Sequence, residues 1–327
     1  MLSNIQMLCA FAAIVVVCFH TTGIAASYGH ATSWPINAVA WGISGVDIFF
    51  VISGFLMVHI QLARPKGMAD FLGNRVMRIV PIYWILTLTV LVLQLAMPSA
   101  FRSDGSAGLH AVYSLLFVST FVSGPPVLYV GWTLEYEMFF YLLFALGICS
   151  GRVERGVSFV ALALVAAVVA NILRPVALEF LIGMLLALWL GKWTSPQPKV
   201  GWWLMIAGVA GLASGACLMQ SWSVREVFFG IPAFFLVAGC VVLPQLHSPF
   251  GIMLGNASYA IYLVQVLTLP AFYKAAVILD AGAAWNDLVA LCSVIATVAF
   301  GVIVHIYVEA PVARLLRDAK DSKAPAV

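Results

Sequence analysis

The run Met7-Leu8-Cys9-Ala10-Phe11-Ala12-Ala13-Ile14-Val15-Val16-Val17-Cys18-Phe19-His20 decides the fold. It holds no charged residue and one imidazole, at its end. Extended to residues 5–25, it has the roughly 20 apolar residues that a membrane-crossing helix needs. The residues before it, Met1–Gln6, carry no side-chain charge, and no small-residue cleavage site leads into a soluble domain. The stretch therefore reads as a retained signal-anchor helix rather than a cleaved leader.

Nine further stretches read the same way: 38–62, 79–97, 127–150, 156–173, 176–191, 201–221, 227–246, 252–274 and 286–309. Of the 327 residues 63% are hydrophobic and 9% charged, and the mean hydropathy is +1.06. Soluble chains carry roughly 25% charged residues. The expected fold is an all-α integral membrane bundle of about ten transmembrane helices. Segment 110–123 is apolar but short and reads as a re-entrant or interfacial piece. Residues 156–173 and 176–191, joined by Arg174-Pro175, read as a tight hairpin. Residues 1–317 form a single transmembrane domain, and 318–327 a disordered cytoplasmic tail.

Loop charge gives the orientation. With the N-terminus inside, twelve of the sixteen Lys and Arg fall in inner loops, among them Arg64, Lys66, Arg75, Arg78, Arg314 and Arg317. Four fall outside: Arg102, Arg174, Arg225 and Lys274. That bias predicts both termini in the cytoplasm. A net charge of +3 offers nucleic acid no basic surface. The six Cys lie in apolar runs without metal-ligand spacing. They read as small buried hydrophobes, and no metal is expected.

Charged side chains in hydrocarbon cost at least about 2.5–3.5 kcal/mol each on insertion scales, so the few that occur there stand out. His20 shares a helix face with position 9, eleven residues and roughly 16 Å away. It is either an interhelical hydrogen-bonding residue or a proton-handling one. Asp47, inside Gly45-Val46-Asp47-Ile48-Phe49-Phe50, must face the bundle interior, as a structural or a functional acid. Glu135 and Glu137 point about 200° apart on a helix, so only one of them can face a given cavity. Arg75 and Arg78 are i, i+3 neighbours at a helix mouth with Arg64 and Lys66 close by. They are topology signals that bind lipid headgroups, or a clamp for phosphates.

Five patches together resemble the acyltransferase-3 family of bacterial membrane O-acyltransferases, most of all its short members that acetylate exopolysaccharides of the succinoglycan and xanthan type. They are Asn4-Ile5-Gln6-Met7-Leu8 through Phe19-His20, Gly45 to Phe55, Arg75 to Trp84, and Trp132-Thr133-Leu134 with Glu137 and Phe140-Tyr141. The fifth is Leu254-Gly255-Asn256-Ala257-Ser258-Tyr259-Ala260-Ile261-Tyr262-Leu263, followed by Val308-Glu309-Ala310-Pro311. Two positions depart from the family pattern: Cys9 stands where an Arg or Lys is usual, and Gln265 where a His is usual.

The resemblance implies transfer of an acyl group, usually acetyl, from acyl-coenzyme A to a sugar hydroxyl on a lipid-linked or surface glycan. Acetyl-CoA is then a co-substrate, and membrane lipids surround the chain. Arg64, Lys66, Arg75 and Arg78 would hold the nucleotide end, and the pantetheine arm would thread inward to the depth of Asp47, Glu137 and His20. A sugar hydroxyl needs a base with a pKa near 7, which suits His20, oriented by Glu137 or Asp47. Trp132, Tyr83, Ser53 and Tyr259 are candidates to contact the substrate and donate to the oxyanion. Buried acids and a His would also suit a transporter or flippase, although no inverted repeat is visible. With Cys9 and Gln265 at these positions, a catalytically weak member that only binds the acyl donor is a further alternative.

Overall fold

The computed structural model describes residues 2–34, 41–97, 107–190, 196–218 and 225–321, and every regular element among them is helical. The principal helices are α1 (Ser3–Ser27), α2 (Ser44–Ala63), α3 (Met68–Ala96), α4 (Trp132–Ile148) and α5 (Val153–Val169). They continue with α6 (Leu178–Leu190), α7 (Pro198–Leu218), α8 (Ile231–Val242), α9 (Ser258–Ile278), α10 (Asn286–Val304) and α11 (Ala310–Asp321). Five helical stretches are long and apolar enough to cross a membrane: Ser3–Ser27, Trp41–Ala63, Met68–Ala96, Ser258–Ile278 and Ala283–Lys320. Apolar side chains also cover the outside of the bundle, with Leu162, Val169, Trp203 and Ile278 all exposed, as a lipid solvent requires.

α1 lies at the centre, against α2, α8, α9 and α10. Small residues set the distances between helices. A methyl group on Gly45 would strike the Ala12 carbonyl, which brings α1 and α2 into backbone contact. α2 and α6 cross more tightly still. Gly54 meets the Phe180 carbonyl and Gly183 meets the Val51 carbonyl, with no room for a side chain at either position. Beside that crossing, Phe50 stacks on Phe180 at 4.3 Å and Phe180 on Phe140 at 4.4 Å, which ties α4 to the pair.

Segment 110–123 folds back on itself. A helix, Ala107–Leu115, ends at Phe117, whose φ of 59° reverses the chain. A single turn, Ser119–Val122, follows. The Trp84 indole donates to the Leu115 carbonyl, and the Ser114 hydroxyl accepts from the Val127 amide, so the excursion is pinned to the bundle. Within the stretches expected at 156–173 and 176–191, α5 and α6 form a hairpin, with Asn171 at φ 57° in the turn; residue 191 lies outside the described residues.

Three boundaries differ from expectation. α3 starts at Met68, not 79, and so places Arg75 and Arg78 inside the helix. The stretch expected at 252–274 is two helices, Pro249–Asn256 and α9, with the first packed by Gly255 onto the Gln6 carbonyl. The chain after 309 is not a disordered tail from 318: α11 runs to Asp321, and residues 322–327 lie outside the described residues. Short-range charge had masked an amphipathic repeat in α11. Lys320 anchors it to the first turns of α3 by donating to Asp70 at 2.8 Å and Asn74 at 3.4 Å.

Candidate active site

A cavity of about 110 Å³ lies among α1, α2, α3, α4 and α9. Cys9, Ser53, Arg75, Arg78, Glu137, Tyr141 and Tyr259 line it, with Thr133 and Tyr262 at its far end. Glu137 is the acid of the cavity. Its Oε1 accepts from the Ser53 hydroxyl and from the Tyr141 hydroxyl, both at 2.5 Å. The Arg75 guanidinium sits 5.8 Å from the Tyr141 ring centre and 5.9 Å from that of Phe71, a double cation–π contact. Among the described residues no carboxylate pairs with Arg75 or Arg78, and the Arg75 Nε is buried without a hydrogen-bond partner. Two guanidinium groups one helical turn apart, with no carboxylate pair among the described residues, carry the kind of N–H donors that phosphate oxygens accept from.

Glu135 does something else. Its two carboxylate oxygens accept the backbone N–H groups of Ser119 (3.0 Å) and Thr120 (2.6 Å), which caps the turn Ser119–Val122 and holds the folded-back segment. Of the two neighbouring acids, this is the structural one.

Asp47 is not in the cavity. It is fully buried and paired with Arg225 Nη2 at 2.5 Å, and the same guanidinium reaches the Ile43 carbonyl at 3.5 Å. Glu179, 1% exposed, lies within electrostatic reach of both. Asp47 is therefore a structural acid and does not orient His20. Arg225, read from sequence as a loop charge, is its buried partner. The two are 178 residues apart, and nothing local could have joined them.

His20 is half-buried, with its ring edge-on to Phe19 at 5.3 Å and to Tyr129 at 5.1 Å. Among the described residues it makes no hydrogen bond to Glu137 or Asp47. One turn of chain, Tyr129–Gly131, separates it from the cavity. Tyr262 lines the cavity's far end and donates to the Val130 carbonyl at 3.0 Å, while the preceding residue, Tyr129, touches His20.

The remaining candidates divide. The Ser53 hydroxyl is committed to Glu137, and the Tyr259 hydroxyl donates to the Ile79 carbonyl at 2.8 Å. Tyr83 is fully buried against Phe117, with no partner for its hydroxyl. Trp132 packs edge-on against Phe50 and Tyr136, outside the cavity. Arg64 and Lys66 are exposed in the link between α2 and α3, and Lys66 borders a separate cleft of about 270 Å³ with Gln61 and Arg152. Sequence reasoning missed Tyr141 and Tyr262 as lining residues. Gln265 was noted only as a departure. It is fully buried, and its side-chain amide donates to the Tyr262 carbonyl at 2.7 Å, so it fixes the helix turn that carries Tyr262.

Residues 3–306 match the family model described as an acyltransferase domain, and the chain belongs to that family. It is also 32% identical over 307 residues to the exopolysaccharide production protein ExoZ of Rhizobium meliloti (strain 1021), covering 87% of this chain and 94% of the relative. No solved structure matches.

The Asp47–Arg225 pair yields a stability prediction. Asp47→Asn removes the ion-pair partner of a buried guanidinium, leaving it the more distant field of Glu179, and should cost about 3–5 kcal/mol. Replacing both residues, Asp47→Leu with Arg225→Met, should recover most of that loss. Thermal unfolding of the purified variants in one detergent measures both, and a double variant no better than the single one contradicts the structural assignment.

Proposed function

We propose that this protein is a membrane O-acyltransferase that moves an acyl group, acetyl first among them, from acyl-coenzyme A to a sugar hydroxyl of an exopolysaccharide or another cell-surface glycan. The observation that carries the reading is the cavity. Its inner wall holds Arg75 and Arg78 without acid partners, and its far end stops one turn of chain short of His20. Membership of the acyltransferase family supports the reaction class. The name of the similar protein from Rhizobium meliloti supports exopolysaccharide as the acceptor. The direct test is deletion of the gene followed by NMR of the surface polysaccharide. Lost O-acetyl signals are expected, and an unchanged spectrum overturns this acceptor.

In this reading coenzyme A docks from the cytoplasm with its phosphates on Arg75 and Arg78. Cys9 lines the same cavity as Arg78, so Arg78 supplies the positive charge that position 9 lacks. The pantetheine arm runs past Glu137 toward Thr133 and Tyr262. A cavity of about 110 Å³ has room for only a few waters, so the bundle widens when the donor enters. His20 takes the proton of the acceptor hydroxyl as its oxygen attacks the thioester carbonyl carbon. The tetrahedral intermediate collapses, the carbon–sulfur bond breaks, and the imidazolium returns the proton to the departing thiolate.

The kinetic signature separates the two ends of the site. Arg75→Glu or Arg78→Glu should raise the KM for acetyl-CoA roughly tenfold to a hundredfold, from the loss of charge-assisted contacts worth about 1.5–3 kcal/mol. His20→Gln should leave donor affinity intact and lower kcat by about 10²–10⁴. Near-normal transfer by His20→Gln removes that residue from the mechanism.

The same reading takes the chain as ten spans with both ends in the cytoplasm of the bacterial inner membrane. Each of the ten apolar stretches found in the sequence contains helix among its described residues, that at 252–274 as two helices, and the positive loops favour one side. Reporter fusions should place the C-terminus inside and the loop around residue 281 outside. A periplasmic C-terminus sinks the ten-span topology.

A further inference from the structure

Tyr129 was not among the residues that the sequence singled out, yet it occupies the joint between the two halves of the site. Its ring contacts the His20 ring at 5.1 Å with planes 67° apart. Its hydroxyl is buried and has no hydrogen-bond partner among the described residues. A phenol left in that state costs about 1–3 kcal/mol, which asks for a reason.

The turn that carries Tyr129 is held from several sides. The Val130 carbonyl accepts from the Tyr262 hydroxyl at 3.0 Å and from Thr133 at 3.0 Å. Gly131 packs so closely on the Tyr83 ring that a methyl group there would come within 2.9 Å of it. Tyr129 is therefore fixed between His20 and the wall, Thr133 and Tyr262, at which the donor cavity ends.

The other hydroxyls near that end are already used. Ser53 donates to Glu137, Tyr259 to the Ile79 carbonyl, and Tyr262 to the Val130 carbonyl. The Tyr83 hydroxyl is also buried without a partner among the described residues, but its ring packs on Phe117, whereas the ring against His20 is that of Tyr129. A thioester carbonyl delivered to His20 needs a donor for the oxygen that becomes an oxyanion, and an uncommitted O–H beside the base is what such a step uses.

We propose that Tyr129 is a further catalytic residue, whose hydroxyl donates to the acyl carbonyl oxygen as the acceptor attacks. This rests on the acyltransferase reading given above. The acceptor oxygen bonds to the carbonyl carbon and its proton passes to His20. The carbonyl π electrons move to the oxygen held by Tyr129, and they return as the carbon–sulfur bond breaks and the thiolate leaves. Tyr129 keeps its own proton throughout. For the thioester to arrive, the Tyr262 side chain must swing off the Val130 carbonyl, so the donor exchanges one hydrogen bond of the closed wall for another.

The test uses the purified full chain in detergent, with acetyl-CoA and the glycan acceptor. Tyr129→Phe keeps the ring against His20 and removes only the hydroxyl. It should lower kcat about 10²–10³-fold, the usual cost of one oxyanion donor, with unchanged acetyl-CoA affinity and thermal midpoint. A kcat within twofold of the unsubstituted protein overturns the proposal. So does a fall in kcat matched by lost donor affinity and a lower thermal midpoint, which marks Tyr129 as packing alone. Should Tyr129→Phe not fold, 3,5-difluorotyrosine at position 129 decides the matter. Its phenol ionises more readily, so the alkaline limb of the pH–rate profile should move to lower pH, and an unmoved limb counts against Tyr129. Absence of transfer by the unsubstituted protein overturns the acyltransferase reading itself, whereas full transfer by Tyr129→Phe leaves that reading standing and removes only this residue.

Discussion

An ionised carboxylate inside a helix bundle must be answered by something, because lipid and apolar side chains offer it nothing. Four acids occupy the interior segments of α2, α4 and α6; Glu179 is buried beside Asp47 and Arg225, and the other three are each answered differently. Asp47 has a full counter-charge in Arg225. Glu135 has two backbone N–H groups at the start of a turn. Glu137 has two neutral hydroxyls and an open cavity. The first two arrangements close their sites: every helix they join is held in one place, and no ligand could use the acid without breaking the structure. The third leaves the acid facing space that a ligand can fill. The division of labour along the bundle follows from how each of these costs is met.

The scaffold that keeps Glu137 in that position is built from backbone contact. Gly54 and Gly183 let α2 and α6 touch, and the stack Phe50–Phe180–Phe140 then fixes how far α4 stands from them. Ser53 and Glu137 lie on these same helices, next to Gly54 and three residues before Phe140, so packing sets the reach of their hydrogen bond. On the other side of the cavity Tyr259 ties α9 to the Ile79 carbonyl, one residue beyond Arg78. That bond steadies the turn of α3 from which the guanidinium groups project.

Much of this was legible in the sequence, and what was not has definite causes. Apolar run length located helical chain in each expected stretch, and five helical stretches are long and apolar enough to cross a membrane, because in lipid the length of the run is itself the physical requirement. Helical angles separated Glu135 from Glu137, since 200° of rotation does not depend on the fold. The spacing from position 9 to His20 put both on one face of α1, but spacing says nothing of what another chain segment inserts between them. The turn Tyr129–Gly131 does so, from more than a hundred residues away in sequence. The partner of Asp47 was hidden for the same reason, and Arg225 was misread because a charge near a helix end looks like a loop signal. The helical residues after Arg317 were missed because their charged positions resembled a disordered tail. Their register is set by Lys320 on Asp70, a contact that spans 250 residues.

Charge along the cavity gives the arrangement a direction. Its inner wall has two guanidinium groups, its middle has one carboxylate, and its far end has only the hydroxyls of Thr133 and Tyr262. Cys9 adds no positive charge to the middle, so the field falls from positive to near neutral with depth. For the acyl donor proposed above, with several negative charges at one end and an uncharged thioester at the other, that gradient would favour one orientation. Reversed, its phosphates would meet Glu137 and leave water without any cation in reach. Low dielectric sharpens that difference, since interactions between charges weaken less there than in water. In that proposal the barrier to misorientation lies in the placement of Arg75, Arg78 and Glu137 along the lining of one cavity.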